Sequence, residues 1–171
     1  GANIKLKNIE KKFGETIGDI SVKFSKLRPI NFPKKEVMST IDELPALMTL
    51  AATIDDVSTF NLGAKNIKIL KGKESDRIKK MSENLKAFGI KTKITRDKIK
   101  VYGSRSEIYS KRKKINIKPV LDHRIQMSAV LLGSVSKSSV KVKGCGTIKT
   151  SFPNFFELLN KCGIKYEIKK N

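Results

Sequence analysis

The chain has 171 residues and 39% hydrophobic content, which fits one sizeable globular domain rather than a disordered chain. No apolar run approaches the roughly 20 residues of a membrane span, and no charged-then-apolar leader opens the chain, so neither a membrane partner nor export is expected. The net charge of +21 invites a nucleic-acid partner, but the lysines are spread along the whole length, arginine occurs only as Arg28, Arg77, Arg96, Arg105, Arg112 and Arg124, and the 6% of aromatics are not interleaved with the basic runs.

Taken in chain order, "GANIKLKN" (1–8) reads as an isolated strand. It looks like a worn copy of "FGIKTKI" further on, the last strand of an earlier repeat over 1–18, so the chain is expected to be a piece of a longer protein. "DISVKFS" (19–25) is a second strand. "IDELPALMTLAATIDDVSTFNL" (41–62) reads as an aspartate, a helix apolar nearly all round, and a β-branched strand. The stretch 71–89 opens on "KGKESDRIKK", and in it Ile78, Met81, Leu85 and Phe88 keep one face of a helix that ends at Gly89, before the strand "IKTKI". Glu74 and Arg77 extend that core-facing stripe back into the first turn, where a charge needs a partner or a ligand.

The pattern then repeats. "KIKVYG" (98–103) is a strand, and "SKRKKINIK" (110–118) is a solvated loop and strand edge. "LDHRIQMSAVLLGSVSKSSVKV" (121–142) matches 41–62 as an aspartate, a buried helix and a β-branched strand. "GTIKTSFPNFF" (146–156) reads as a strand, a turn and a helix start. Phe155, Phe156, Leu159 and Cys162 face one way before Gly163 and a last strand, "IKYEI". The expectation is therefore an α/β (α+β) single domain of two βαββαβ units, over 19–97 and 98–171. Cys145 and Cys162 have neither metal-like nor redox-like spacing, which suits a reduced, cytoplasmic setting.

Each polar cluster stands at the head of a helix. Asp42 reads either as an N-cap, with Pro45 at N3, or as a general base at the helix mouth. Lys73, Glu74 and Arg77 offer two cations and a proton carrier, or an internal Glu74–Arg77 ion pair. Asp122 is a capping aspartate beside His123, the sole histidine, and Arg124, a candidate anion fork. With one histidine and no cysteine cluster, no metal is expected. If the helices run side by side in one sense, these heads share a rim suited to an anionic substrate with a proton to move.

The motifs "IDELP", "KESDR", "LDHR-I-x-M" and "TSFP-x-F", in this order, resemble the C-terminal part of the EPSP synthase family over essentially the whole chain. The resemblance implies the enolpyruvyl transferase (inverse α/β barrel) fold, with helices buried inside a layer of sheets. It also implies a reaction without a cofactor. The 5-hydroxyl of shikimate 3-phosphate attacks phosphoenolpyruvate, and phosphate is lost from a tetrahedral intermediate. Asp42 matches the family aspartate that accepts the hydroxyl proton, and Glu74 the glutamate that works on the methylene proton. Lys73 matches a lysine on the shikimate side. Arg77 and Arg124 match the arginines that hold phosphoenolpyruvate, with His123 flanking the second. Many members carry a lysine two residues before "FP". Here that place is Thr150, and Lys149 stands one step earlier as the candidate ligand.

The family's other domain, which brings further substrate ligands, is not in this sequence, so the chain alone is expected to bind weakly and not to turn over. A monomer is expected. Two rivals remain. The sister enolpyruvyl transferase acting on UDP-N-acetylglucosamine shares the fold but should lack "KESDR" and "LDHR". A basic nucleic-acid-binding module would show tight, steeply salt-dependent binding.

Overall fold

The computed structural model describes residues 1–110 and 114–169. The chain opens with an antiparallel hairpin of β1 (Asn3–Lys12) and β2 (Glu15–Lys23). Its two-residue connection places Phe13 at φ 51° and Gly14 at φ 84°, the left-handed geometry that matches strand twist in a tight hairpin. The opening strand was expected, but its pairing with the next strand was not.

The first repeat comprises β3 (Asn31–Phe32), α1 (Leu44–Ala52), β4 (Val57–Asn61), α2 (Ala64–Lys71), α3 (Arg77–Ala87), β5 (Lys91–Ile94) and β6 (Lys98–Tyr102). β3 and β4 are parallel with α1 between them, while β6 pairs antiparallel with both β4 and β5, giving the order β3-β4-β6-β5. This differs from the expected unit in three respects. Its first strand is β3, not the expected 19–25, because residues 19–23 belong to β2 and pair with β1, so a boundary at 18/19 cuts through that strand. The unit runs β, α, β, α, α, β, β, because the helix α2 stands where a second consecutive strand was expected. Asn66, Ile67 and Leu70 set that helix by burying one face of α2 at helical spacing. And β6, assigned from sequence to the second unit, closes the first unit's sheet, so a boundary at 97/98 cuts through a hydrogen-bonded ladder.

The second repeat comprises α4 (Arg105–Tyr109), β7 (Ile115–Ile117), α5 (His123–Val135), β8 (Val140–Val142), α6 (Ile148–Ser151) and α7 (Phe155–Lys161). β7 and β8 are parallel with α5 between them, as β3 and β4 are with α1. Residues 111–113 of the basic run lie outside the described residues. The segment expected as a strand from 146 is helical instead. Ile148 is fully buried there, and Thr147 Oγ1 donates to Gln126 Oε1 at 2.5 Å, tying the segment to α5. No strand forms over 164–169. β5 is a strand because β6 turns back and pairs with it, and among the described residues nothing occupies β6's place beside 164–168.

The core lies between the helices and the sheets. α1, α3 and α5 pack on one another, α1 also packs on β6, and α5 on β8. Met81, Leu85, Phe88, Val101, Ala129 and Leu132 are fully buried. α1 and α5, expected inside, bury Leu44, Met48, Ile125 and Ala129 among others. The α3 stripe is buried as expected, but Cys162 is exposed at the end of α7. No helix is long and apolar enough to cross a membrane among the described residues.

Candidate active site

Three helix heads meet. The turn before α1 carries Asp42 and Glu43. The bend before α3 carries Lys73, Glu74 and Ser75, and α3 opens on Arg77. α5 opens on His123 and Arg124 behind its cap, Asp122. They converge because α1, α3 and α5 pack together and so bring their first turns to one rim.

Arg77 is the hub. Its side chain is 3% exposed. Nη1 donates to Asp42 Oδ1 at 2.7 Å and Nε to Asp122 Oδ2 at 2.9 Å, while Nη2 lies 3.7 Å from Glu74 Oε1. Ser75 Oγ also donates to Asp122 Oδ2, at 2.9 Å. Asp122, fully buried, accepts the Arg124 backbone N–H on Oδ1 at 3.1 Å, which caps α5. A buried guanidinium with two carboxylates is the arrangement that compensates its desolvation. Burial alone favours the neutral form of Arg77, but Asp122 and then Asp42 outweigh it and raise its pKa.

Asp42 also takes Lys73 Nζ at 3.1 Å. Its partial burial pushes its pKa up, yet the hydrogen bonds and charges of Lys73 and Arg77 win, and the net shift is downward. His123 Nδ1 lies 3.0 Å from Glu74 Oε2. Arg124 Nη1 donates to the Asp42 carbonyl at 3.0 Å and to Glu43 Oε1 at 3.1 Å.

Six of the seven site residues expected from sequence, Asp42, Lys73, Glu74, Arg77, His123 and Arg124, thus form one connected network. Lys149 does not join it. It sits exposed on α6, and no hydrogen bond or ion pair links it to this group among the described residues. The expected local geometry needs two corrections. Asp42 is not the N-cap of α1, since Glu43 occupies that position without a side-chain bond and Pro45 sits within the first two helical positions. Asp42 is therefore free to serve Arg77 and Lys73. Glu74 precedes α3 rather than lying in its first turn, because Asp76 caps the helix by accepting from Lys79 N.

The second contact of Asp122, and the parts of Ser75 and Glu43, were not read from sequence. One signal pointed there. An arginine on the core stripe of α3 demanded a buried carboxylate, and Asp122 is the acid at the neighbouring helix head. Glu74, Asp122 and His123 also bring three potential metal-ligand atoms within 4.8 Å of one another. Both Asp122 oxygens already accept from donors there, and the Arg77 cation stands beside them, so the group is satisfied as an ion-pair network.

Parallel strand pairs bridged by buried helices, with acids and guanidinium groups gathered at one rim of helix heads, define an α/β protein with a candidate anion site. Among solved structures, the chain is similar to EPSP synthase from Acinetobacter baumannii, with a TM-score of 0.84 and 32% identity over 99% of this chain and 37% of that one. A second structure of EPSP synthase from the same organism gives 0.86 and 34%, over 99% of this chain and 38% of that one. The chain belongs to the EPSP synthase (3-phosphoshikimate 1-carboxyvinyltransferase) family, whose model matches residues 2–159. Curated relatives named 3-phosphoshikimate 1-carboxyvinyltransferase include that of Zymomonas mobilis, 38% identical over 98% of this chain and 36% of its own length. That of Ruthia magnifica is 35% identical, over 98% of this chain and 37% of its own. The chain therefore spans a little over a third of the length of these relatives.

Proposed function

We propose that the chain supplies one wall of a site that transfers the enolpyruvyl group of phosphoenolpyruvate to the 5-hydroxyl of shikimate 3-phosphate and releases phosphate. The remaining wall comes from the polypeptide that completes the family's length. The observation that carries this reading is the single network joining Asp42, Glu74, Arg77 and Arg124 at three helix heads.

In this reading Asp42 takes the proton of the attacking hydroxyl. Its lowered pKa keeps it ionised and so always able to accept. A guest phosphate that draws Lys73 away removes one of the two cations holding that value down, and Asp42 becomes a stronger base. Glu74 exchanges the proton at the methylene carbon, with His123 orienting its carboxyl. Arg124, one-third exposed, is the accessible fork for the carboxylate of phosphoenolpyruvate. Arg77 has already committed Nε and Nη1 to Asp122 and Asp42, so it contributes at most Nη2 and chiefly fixes the two acids in place. Closure against the second wall removes water and strengthens these contacts.

Titration calorimetry tests the binding half of the reading. Phosphoenolpyruvate should bind the chain weakly and the Arg124→Ala variant at least about tenfold more weakly. Equal affinity for both proteins contradicts the assignment. Competition by UDP-N-acetylglucosamine in place of shikimate 3-phosphate would favour the sister transferase.

A further inference from the structure

The outward face of the four-stranded sheet carries lysines that no acid answers. Ser58 and Phe60 of β4 and Ile99 and Val101 of β6 are buried, so by strand alternation Val57 and Thr59, and Lys98 and Lys100, project outward. In the ladder Lys93 stands directly opposite Lys100, Lys100 opposite Thr59, and Thr59 opposite Asn31. Like charges directly opposite each other destabilise a sheet. The hairpin avoids this by setting Lys7 opposite Asp19 and Lys12 opposite Glu15. No acid enters the Lys93–Lys100–Thr59–Asn31 row. Asp56 and Asp97, next in sequence to Val57 and Lys98, are bonded locally: Asp56 Oδ1 accepts from Val57 N, and Asp97 Oδ1 from the Thr95 hydroxyl. Among the described residues the ammonium groups of Lys98 and Lys100 have no ion-pair partner.

A groove of about 430 Å³ opens on this face, within the range of about 300–1,000 Å³ that small-molecule sites occupy. Its polar lining is Lys98, Lys100, Thr59 and Asn31. Lys98 and Lys100 are two residues apart on one strand, so their side chains leave the sheet roughly 7 Å apart, a spacing at which two ammonium groups can converge on one phosphate. Asn61 Nδ2 donates to Asn31 Oδ1, which leaves the Asn31 amide nitrogen as a donor. The groove thus offers ammonium, hydroxyl and amide donors and no carboxylate, a set that selects an anion. The rest of its lining, Pro29, Ile30 and Val57, is apolar. We propose that this groove is a second binding site, which takes the phosphate group of a phosphorylated small molecule between Lys98 and Lys100 and rests the organic part on Ile30 and Val57. It shares no residue with the network around Arg77 and does not depend on the transfer reaction assigned to the helix heads.

The test uses the chain itself, with phenyl phosphate as probe and backbone amide chemical shifts as the readout. Phenyl phosphate should shift the amides around Asn31, Thr59 and Lys100 and bind at least about fivefold more tightly than inorganic phosphate or phenol. Lys98→Gln and Lys100→Gln should each weaken it at least about fivefold. Lys86→Gln, on the exposed side of α3, should change it less than about twofold. Because Lys100→Gln removes a like-charge pair, its urea midpoint should be no lower than the parent's, which separates lost binding from lost fold. Shifts confined to the helix heads overturn the proposal, as does inorganic phosphate binding as tightly as phenyl phosphate. Equal weakening by Lys86→Gln overturns it too, since the attraction would then be to the net charge alone. A short oligothymidine that displaces phenyl phosphate and spreads the shifts to Lys91 and Lys93 assigns the face to nucleic acid and likewise overturns it.

Discussion

Arg77 Nε donates to Asp122 Oδ2 across 2.9 Å, joining the first residue of α3 to the cap of α5 with both side chains buried. The bond fixes the two helix heads against each other, and Asp42 closes the network from the head of α1. Removing one member of a buried pair strands the other charge, at a cost of about 3–5 kcal/mol. Asp122→Ala is thus expected to lower the unfolding free energy by that order, read as a lower urea midpoint. Arg77→Lys should also destabilise, because one ammonium cannot reach two carboxylates with the geometry of a planar fork. Midpoints unchanged within error would show that the pair is not holding the helices.

Asp42 gives the acid limb of stability. Its folded pKa lies below the ordinary value of 3.8, so its ionised form stabilises the fold above that value. That contribution is lost as pH falls from the ordinary range through the lower folded value. Asp42→Asn should therefore flatten the stability–pH curve in acid while changing little of its shape between about pH 6 and 8. A parallel curve for the variant contradicts the assignment.

Glu43 occupies a donor of Arg124 that a guest carboxylate would use. The bridge is half-exposed and is worth at most about 1 kcal/mol, so Glu43→Gln should barely move stability. Freed of its internal competitor, Arg124 should bind phosphoenolpyruvate about two- to fivefold more tightly. Calorimetry on parent and variant checks the affinity, and urea unfolding checks the stability.

Gly103 ends β6 where a Cβ would run into the carbonyl oxygens of both Ala51 and Ile54. Neither oxygen is the tip of a flexible side chain, so Gly103→Ala must push β6 away from the end of α1. A loss of roughly 1–3 kcal/mol is expected from the resulting strain, measured by thermal or urea unfolding.

The α/β class, the repeat, the buried helices and the gathering of six of the seven candidate site residues were legible in the sequence because each rests on a local pattern. The Ile78–Met81–Leu85–Phe88 stripe and the two glycine-ended helices are set by spacing alone, and Gly89 and Gly163 both hold positive φ. What was missed depends on contacts between distant segments. Lys98–Tyr102 reads as a strand wherever it goes, and only its ladder to Val57–Asn61 places it in the first sheet. "IKYEI" alternates as "IKTKI" does, but a strand requires a neighbour, and β6 supplies one only to the first. Asp122 looked like a cap and is one; its bond to Arg77 crosses 45 residues of sequence, which no local pattern encodes.

In the proposed function, Asp42 and Glu74 carry proton transfer in a site that this chain shares with the rest of the family's polypeptide. Phosphate release from phosphoenolpyruvate and shikimate 3-phosphate measures it most directly, with the chain alone and with the complementary portion of the Zymomonas mobilis relative. Expected are no turnover by the chain alone, turnover on recombination, and a loss of about 10²–10⁴-fold in kcat for Asp42→Asn or Glu74→Gln. Recombined enzyme that turns over as fast with either substitution as without it would rule out proton transfer by Asp42 and Glu74.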